Sequence, residues 1–263
     1  MTLSLQTKQH KPPRILIYGP HGLGKSTFGA LSDSPVFIQT EDGLATIDAP
    51  AFPLAKTYAD VMAQLTELAT IPHKYKTVVV DSADWLEPLI WAQVATENNT
   101  KNIEAIGYGK GYTMALDLWR EYISALNYLR DEKHMTIIQT AHAHIKRYDN
   151  PETESYDRME IKLHKGAAGI LLEHSDIVLF CNYFVGITKE KKGFDKDGRK
   201  RAVGSGERIL YTTERPTATA KNRYGLPEEI PFDKEGNYWN VLATHIPFYN
   251  QAQTQPTKEK DAA

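Results

Sequence analysis

Apolar residues fall along this 263-residue chain in two rhythms. Short runs rich in β-branched residues, Arg14 to Tyr18, Val36 to Gln39, Thr77 to Val80, Thr136 to Gln139 and Ile177 to Phe180, are apolar nearly throughout. A strand reads this way when both its faces are covered, as in a parallel sheet. Between these runs the spacing turns helical. Ala59 to Ala69 puts Val61, Leu65 and Leu68 on one face, with Thr57 and Asp60 spaced as a capping box. From Thr113 to Asp131, Leu116, Trp119, Ile123, Leu126 and Leu129 recur as a core-facing stripe. Strands alternating with helices predict an α/β domain, a mostly parallel twisted sheet with helices on both faces. Tyr183 to Ile187 and Arg208 to Tyr211, joined by a charged segment containing Gly193 and Gly198, predict a β-hairpin added towards the C-terminus.

The ends read differently. Residues 1–13 are polar and close on Pro12-Pro13, and residues 250–263 have no apolar periodicity, so flexible tails are expected around one domain over residues 14–249. Hydrophobic residues at 41% and charged residues at 24% suit a soluble globular chain with a real core. A net charge of −2 gives no global positive field, so any nucleic-acid contact has to come from a local patch. Cys181, the single cysteine, lies in an apolar run, which predicts a buried, inert thiol and rules out a disulfide within the chain. Met1 to Arg14 has no apolar leader core and nowhere do eighteen apolar residues run together, so a cytoplasmic protein without membrane contact is expected.

The first chemistry appears where the first strand ends. After Ile15-Leu16-Ile17-Tyr18 comes Gly19-Pro20-His21-Gly22-Leu23-Gly24-Lys25-Ser26, followed by Thr27. This matches the G-x-x-x-x-G-K-[ST] phosphate loop in the strand-loop-helix context the motif requires. Glycines let the backbone wrap phosphates with its N–H groups, and Lys25 supplies a point charge. Gly19 to Thr27 are therefore the expected ATP-binding residues, with Ser26 as a ligand of Mg²⁺. Thr77-Val-Val-Val-Asp81-Ser82 is an apolar strand ending in a carboxylate, the pattern of a Walker B aspartate, and Asp81 is the second expected metal residue.

Glu41 follows the strand Val36 to Gln39, sixteen residues after Lys25, so it should emerge at the same edge of the sheet as the phosphate loop. Phosphoryl transfer to water needs a group that orients or deprotonates the nucleophile, and Glu41 has the reach. Thr136 to His142 is a further strand ending in polar residues, of which His142 or Gln139 could sense a terminal phosphate. His142 and His144 also form an H-x-H pair, but no third ligand of suitable spacing accompanies them for zinc.

Two segments are candidates for DNA. Lys189 to Arg201 carries seven basic residues against three acidic, among them Lys191, Lys192, Arg199, Lys200 and Arg201. The second is a polar loop after the sensor strand, with Lys146 and Arg147, continuing to Lys162 and Lys165. There Tyr148 and Tyr156 offer rings on which single-stranded bases could stack.

With these residues in hand, the chain resembles the RecA-type recombination ATPases, and more closely the phage nucleotide-binding proteins of that superfamily, including the short single-strand annealing ATPases. Phe37-Ile-Gln-Thr-Glu41-Asp-Gly43 resembles the recombinase segment carrying the catalytic glutamate, and Ile106 to Tyr112 and Ala220 to Pro227 are similar to stretches of the phage group. The resemblance covers most of residues 14–232. It implies a RecA-like core with the strand 136–140 between the Walker A and Walker B strands. It also implies Mg²⁺-dependent ATP hydrolysis at a subunit boundary of a homo-oligomer, with Lys221 and Arg223 completing a neighbour's site. Single-stranded DNA and a single-strand DNA-binding protein are the implied partners, and annealing or strand exchange the implied task. No segment matches the N-terminal oligomerisation module or the C-terminal DNA-binding domain of the longer recombinases. A P-loop kinase and a nucleotide-dependent assembly switch remain as alternatives on the residues alone.

Overall fold

The computed structural model describes residues 10–150, 154–189 and 200–252. In chain order the elements are β1 (Arg14–Gly19), α1 (Lys25–Ala30), β2 (Pro35–Gln39), α2 (Tyr58–Thr70), β3 (Thr77–Asp81) and α3 (Ala83–Glu97). A short 3-10 turn at Ile103–Ile106 leads into α4 (Lys110–Glu132), β4 (Thr136–Tyr148), β5 (Tyr156–Ile161), α5 (Lys165–His174) and β6 (Ile177–Lys189). The chain then forms β7 (Lys200–Tyr211), β8 (Lys221–Asn222), β9 (Glu229–Pro231), α6 (Tyr238–His245) and α7 (Pro247–Ala252).

These strands make one sheet in the order β2-β3-β4-β1-β6-β7-β9, with β5 beside β4 and β8 beside β6. The five strands from β2 to β6 in that order are mutually parallel, and β7 and β9 extend the sheet antiparallel. β4 therefore lies between β3 and β1, the expected RecA-like arrangement. In register, Gln39 faces Asp81, and Gly19 faces His142. The carboxyl ends of the central strands thus stop together, at one edge.

Period-two alternation divides the core. Leu16, Tyr18, Val36, Ile38, Val78, Val80 and Ile137 point to one face, against Leu65 of α2, Leu86 of α3, Trp119 and Leu126 of α4 and Leu171 of α5. Ile15, Ile17, Phe37, Val79, Ile138 and Leu179 point to the other, against Phe28 of α1 and Tyr238 and Leu242 of α6. Each such side chain taken from water contributes about 1.5–3 kcal/mol before chain entropy is set against it. α2 starts as its spacing predicts. Thr57 caps it, its hydroxyl accepting from the Asp60 N–H at 3.1 Å while the Asp60 carboxylate accepts from the Thr57 N–H at 2.9 Å. Trp119, Leu126 and Leu129 of the α4 stripe are fully buried, and Leu116 and Ile123 pack at its margin.

Three expectations need correction. The polar loop placed after the sensor strand is instead an arm of sheet: β4 runs on to Tyr148 and pairs antiparallel with β5 from Ala143↔Ile161 to Tyr148↔Tyr156. Ile145 apart, residues 144–148 are polar or amphipathic because this arm has left the covered part of the sheet, a change of environment that looks like a loop when read by composition. At the N-terminus, Pro12 and Pro13 are buried and Arg130 donates to the Pro12 carbonyl at 2.7 Å, so packing begins before residue 14. At the C-terminus α7 reaches Ala252, three residues past the expected boundary.

Candidate functional site

The loop after β1 is shaped by its glycines. Gly22 and Gly24 sit at φ of 71° and 98°, a backbone region costly for residues with a Cβ. Gly19 has another reason to lack a side chain, since a Cβ there would come within 2.2 Å of the Cys181 carbonyl oxygen on neighbouring β6. Leu23 is fully buried and anchors the loop in the core. Lys25 is buried too, and its ammonium donates to the carbonyls of Pro20 at 2.8 Å and Gly19 at 3.2 Å. Burial holds this ammonium below the usual lysine range, against the pull of neighbouring acids that include Asp81, Asp84 and Glu41. A cation so placed gains from an incoming anion.

Beside the loop lies a cleft of about 330 Å³. His21, Gly22, Gly24, Lys25, Ser26 and Thr27 form one wall, and Glu41, Gly43, Ile47, Asp81 and His142 the others. Of the nine loop residues expected to bind nucleotide, Gly19, Pro20 and Leu23 do not line the cleft; they fix the loop and the Lys25 side chain. Ser26 and Asp81 bring a hydroxyl and a carboxylate to one cavity, hard oxygen donors of the kind Mg²⁺ takes.

Backbone bonds tie the two acids together. The N–H groups of Thr40 and Glu41 donate to the Asp81 carbonyl at 2.9 and 3.3 Å. The Thr40 hydroxyl donates to the Ser82 carbonyl at 2.7 Å and accepts the Ser82 N–H at 2.8 Å. The Ser82 hydroxyl donates to the Glu41 carboxylate at 3.4 Å, and the Thr140 hydroxyl donates to the Asp81 carboxylate. His142 is held by Asp84 at the start of α3: its backbone N–H and its ring Nδ1 lie 2.9 Å from the two carboxylate oxygens. Its ring meets that of His21 with centroids 4.4 Å apart. Burial works to raise the Asp84 carboxyl, but the bonds from the His142 ring and backbone hold it below the usual carboxylate range.

Thr40, Thr140, Asp84 and Arg208 escape the sequence reading. Arg208 of β7 donates to the Leu23 carbonyl at 2.7 Å and lies over the Phe232 ring, bracing the phosphate loop from 185 residues away. No local pattern announces it. Asp84 left one faint signal, a carboxylate one turn beyond Asp81 where an apolar strand passes into an apolar helix.

Lys221 and Arg223 are not brought to this cleft by their own chain. β8 pairs with the first residues of β6, at the opposite edge of the sheet. There the Lys221 ammonium donates to the Leu172 carbonyl at 2.8 Å and Arg223 pairs with Asp176 at 3.1 Å. Gln139 is buried beneath the sheet, accepting from the Tyr122 hydroxyl at 2.8 Å, which leaves His142 as the sensor candidate in the cleft. Among the candidate DNA residues, Lys146 pairs with Glu160 at 2.9 Å and Arg147 lies 3.6 Å from Asp149, both on the exposed arm. Tyr148 and Tyr156 face each other across that arm at 5.4 Å, with Arg158 over the Tyr148 ring. Lys162 and Lys165 are exposed on either side of the turn into α5. Lys200 and Arg201 open β7, and Lys191, Lys192 and Arg199 lie outside the described residues. Cys181 is buried, and burial pushes its thiol up to about 12, as an inert core cysteine requires.

A larger recess, about 710 Å³, is lined by residues of β7, of β9 and of the segment 232–235 after it. Four carboxylates, Glu207, Glu229, Asp233 and Glu235, line it against two cations, Arg208 and Lys234, so its net charge disfavours a polyphosphate and the smaller cleft is the nucleotide candidate.

A glycine-turned phosphate loop facing a carboxylate across an interposed parallel strand makes this a P-loop NTPase fold. More particularly, the chain belongs to the AAA-domain family AAA_24, whose model matches residues 11–224. Among solved structures the chain is similar to one described as "Crystal structure of the RadB recombinase", at 16% identity and a TM-score of 0.45, covering 86% of this chain and 90% of that one. Comparison with curated proteins gives no match. Among the described residues no helix is long and apolar enough to cross a membrane.

Proposed function

We propose that the protein is a Mg²⁺-dependent ATPase that works on single-stranded DNA in phage-type recombination, by annealing or strand exchange. The observation that carries the ATPase half is the convergence of Lys25, Ser26, Asp81 and Glu41 on one cleft, with Glu41 and Asp81 cross-linked through backbone bonds.

In this reading the loop N–H groups and the Lys25 ammonium grip the β- and γ-phosphates, and Lys25 exchanges its two carbonyl acceptors for phosphate oxygens. Ser26 and Asp81 hold Mg²⁺, which neutralises charge on the phosphates. Glu41 accepts a hydrogen bond from the attacking water and orients it, while Thr140 and Ser82 keep the two acids in place. Asp84 takes the His142 Nδ1–H and leaves Nε2 to meet the terminal phosphate. Lys221 and Arg223, remote from their own cleft, serve a neighbouring subunit in a homo-oligomer.

The DNA half rests on the resemblance in segments 37–43, 106–112 and 220–227 and on Lys146 and Arg147 of the exposed arm of β4 and β5. A single-strand DNA-binding protein is the partner that would deliver such a substrate, in the cytoplasm of the cell where it is made. ATP turnover measured with and without single-stranded DNA tests the whole reading. We expect turnover that rises severalfold with DNA. Transfer of phosphate to a small-molecule or protein acceptor would make the protein a kinase, and turnover indifferent to DNA would leave an assembly switch.

A further inference from the structure

At the opposite edge of the sheet from the phosphate loop, about 17 Å away along β1, the molecule has a second concave site. The N-terminal strand ends there are drawn together by one buried carboxylate. Asp176, just before β6, accepts from Arg14 at 2.9 and 3.0 Å, pairs with Arg223 at 3.1 Å and has Arg130 at 3.6 Å. Asp131 takes Lys11 at 2.8 Å and Arg130 at 3.4 Å. Four cations therefore share two carboxylates in this cluster, which is left with an excess of positive charge. The excess is felt locally. Burial and then the charge of Arg14 hold the Arg130 guanidinium below its usual range, and burial and then Arg223 do the same to Lys221.

The cluster borders a cavity of about 410 Å³. His10, Lys11, Arg130, Arg223 and His245 supply its polar lining, and Tyr224, Pro247 and Phe248 its apolar wall. The cavity is large enough for a small ligand and too small for a folded segment. Guanidinium groups bind phosphate oxygens through paired N–H donors, and a doubly charged anion offsets the excess better than a carboxylate. Aromatic walls beside a phosphate site suit a planar ring.

We propose that this cavity is a second binding site, separate from the phosphate loop, that takes a phosphomonoester joined to a planar base. Arg130 and Arg223 bind the phosphate, with Lys11 at the rim, and Tyr224 and Phe248 flank the base. The ligand chemistry is that of a 5′-mononucleotide, whether free or at the phosphorylated end of a nucleic-acid strand.

The test is equilibrium dialysis of the full chain with its phosphate loop saturated by ADP and Mg²⁺. One arm uses radiolabelled thymidine 5′-monophosphate, and the other a short single-stranded oligonucleotide with either a 5′-phosphate or a 5′-hydroxyl. We expect the monophosphate to bind, or the 5′-phosphorylated strand to bind at least tenfold tighter than its hydroxyl twin; the arm that responds identifies the source. The double variant Lys11→Gln, Arg223→Gln, both cations being about half exposed, should weaken that binding at least tenfold while its thermal melt shows the fold retained. Lys25→Ala should leave it intact. Failure of both phosphorylated probes to bind, or binding that survives the double variant, would overturn the proposal. So would binding lost with Lys25→Ala, because it would place the probe in the phosphate loop or in a site built around a neighbour's nucleotide.

Discussion

The Lys25 ammonium donates to the carbonyl of Pro20 at 2.8 Å, so the phosphate loop holds its own charged group with its own backbone. On the proposed reading, nucleotide binding exchanges those carbonyls for phosphate oxygens, and burial has already desolvated the lysine. Lys25→Met should remove that exchange while relieving the burial of a charge. We expect the ligand-free variant to melt no lower than the parent. The stabilisation that Mg·ATP gives the parent, about 2.7 kcal/mol at a hundredfold excess over Kd, should vanish. Thermal melts with and without Mg·ATP measure both; a variant that Mg·ATP still stabilises fully would remove Lys25 from the site.

Glu41 is fixed by its backbone and by the Ser82 hydroxyl, so Glu41→Gln should preserve the shape of the cleft. ATP affinity should change little, and turnover should fall about 10²–10⁴-fold if Glu41 is the general base. A variant that turns over normally in a single-turnover assay would show that another group handles the water.

Gly19 has no room for a methyl group, because the obstacle is the Cys181 backbone and not a movable side chain. Gly19→Ala should destabilise the protein by about 1–3 kcal/mol through overpacking. It should also weaken nucleotide binding, since the strand that delivers the loop must shift. Denaturant unfolding checks the first effect and nucleotide titration the second.

Glu87 makes a pH prediction. Burial pushes its carboxyl up to about 7, against the hydrogen bond it accepts from the His164 N–H at 3.0 Å. The unfolded chain ionises Glu87 near pH 4.3 and the folded chain only near 7, so this group costs stability as pH rises between those values and adds no further change above them. Glu87→Gln should therefore flatten the pH dependence. Relative to the parent it should be more stable at pH 8 than at pH 5, by on the order of 2–3 kcal/mol. Parallel stability curves for the two proteins between pH 5 and 8 would disprove it.

Arg223 sits on Asp176 at the far edge from its own phosphate loop. If it completes a neighbour's site, Arg223→Ala and Glu41→Gln proteins should each be inactive, yet mixing them should restore part of the turnover at interfaces that pair an intact Glu41 with an intact Arg223. Titrating one variant into the other reads this directly, and no recovery at any ratio removes the trans role.

Much of this architecture is legible along the chain because it is decided locally. A strand covered on both faces has to be apolar throughout, a helix that packs on one side has to repeat at 3–4 residues, and a backbone that turns through positive φ needs glycine at 22 and 24. Those constraints located the parallel strands, α2 with its Thr57 cap, the stripe of α4 and the phosphate loop, and they put Asp81 and Glu41 at strand ends. What tertiary structure alone decided depends on which strands become neighbours. Thr140 reaches Asp81 because β4 inserts beside β3, Arg208 braces Leu23 because β7 folds back along β6, and Arg14, Arg130 and Arg223 converge on Asp176 from three separate parts of the chain. Such pairings join residues tens to hundreds of positions apart, and no local periodicity carries them. They arise only when burial of the two sheet faces fixes the strand order and, with it, what stands at each edge.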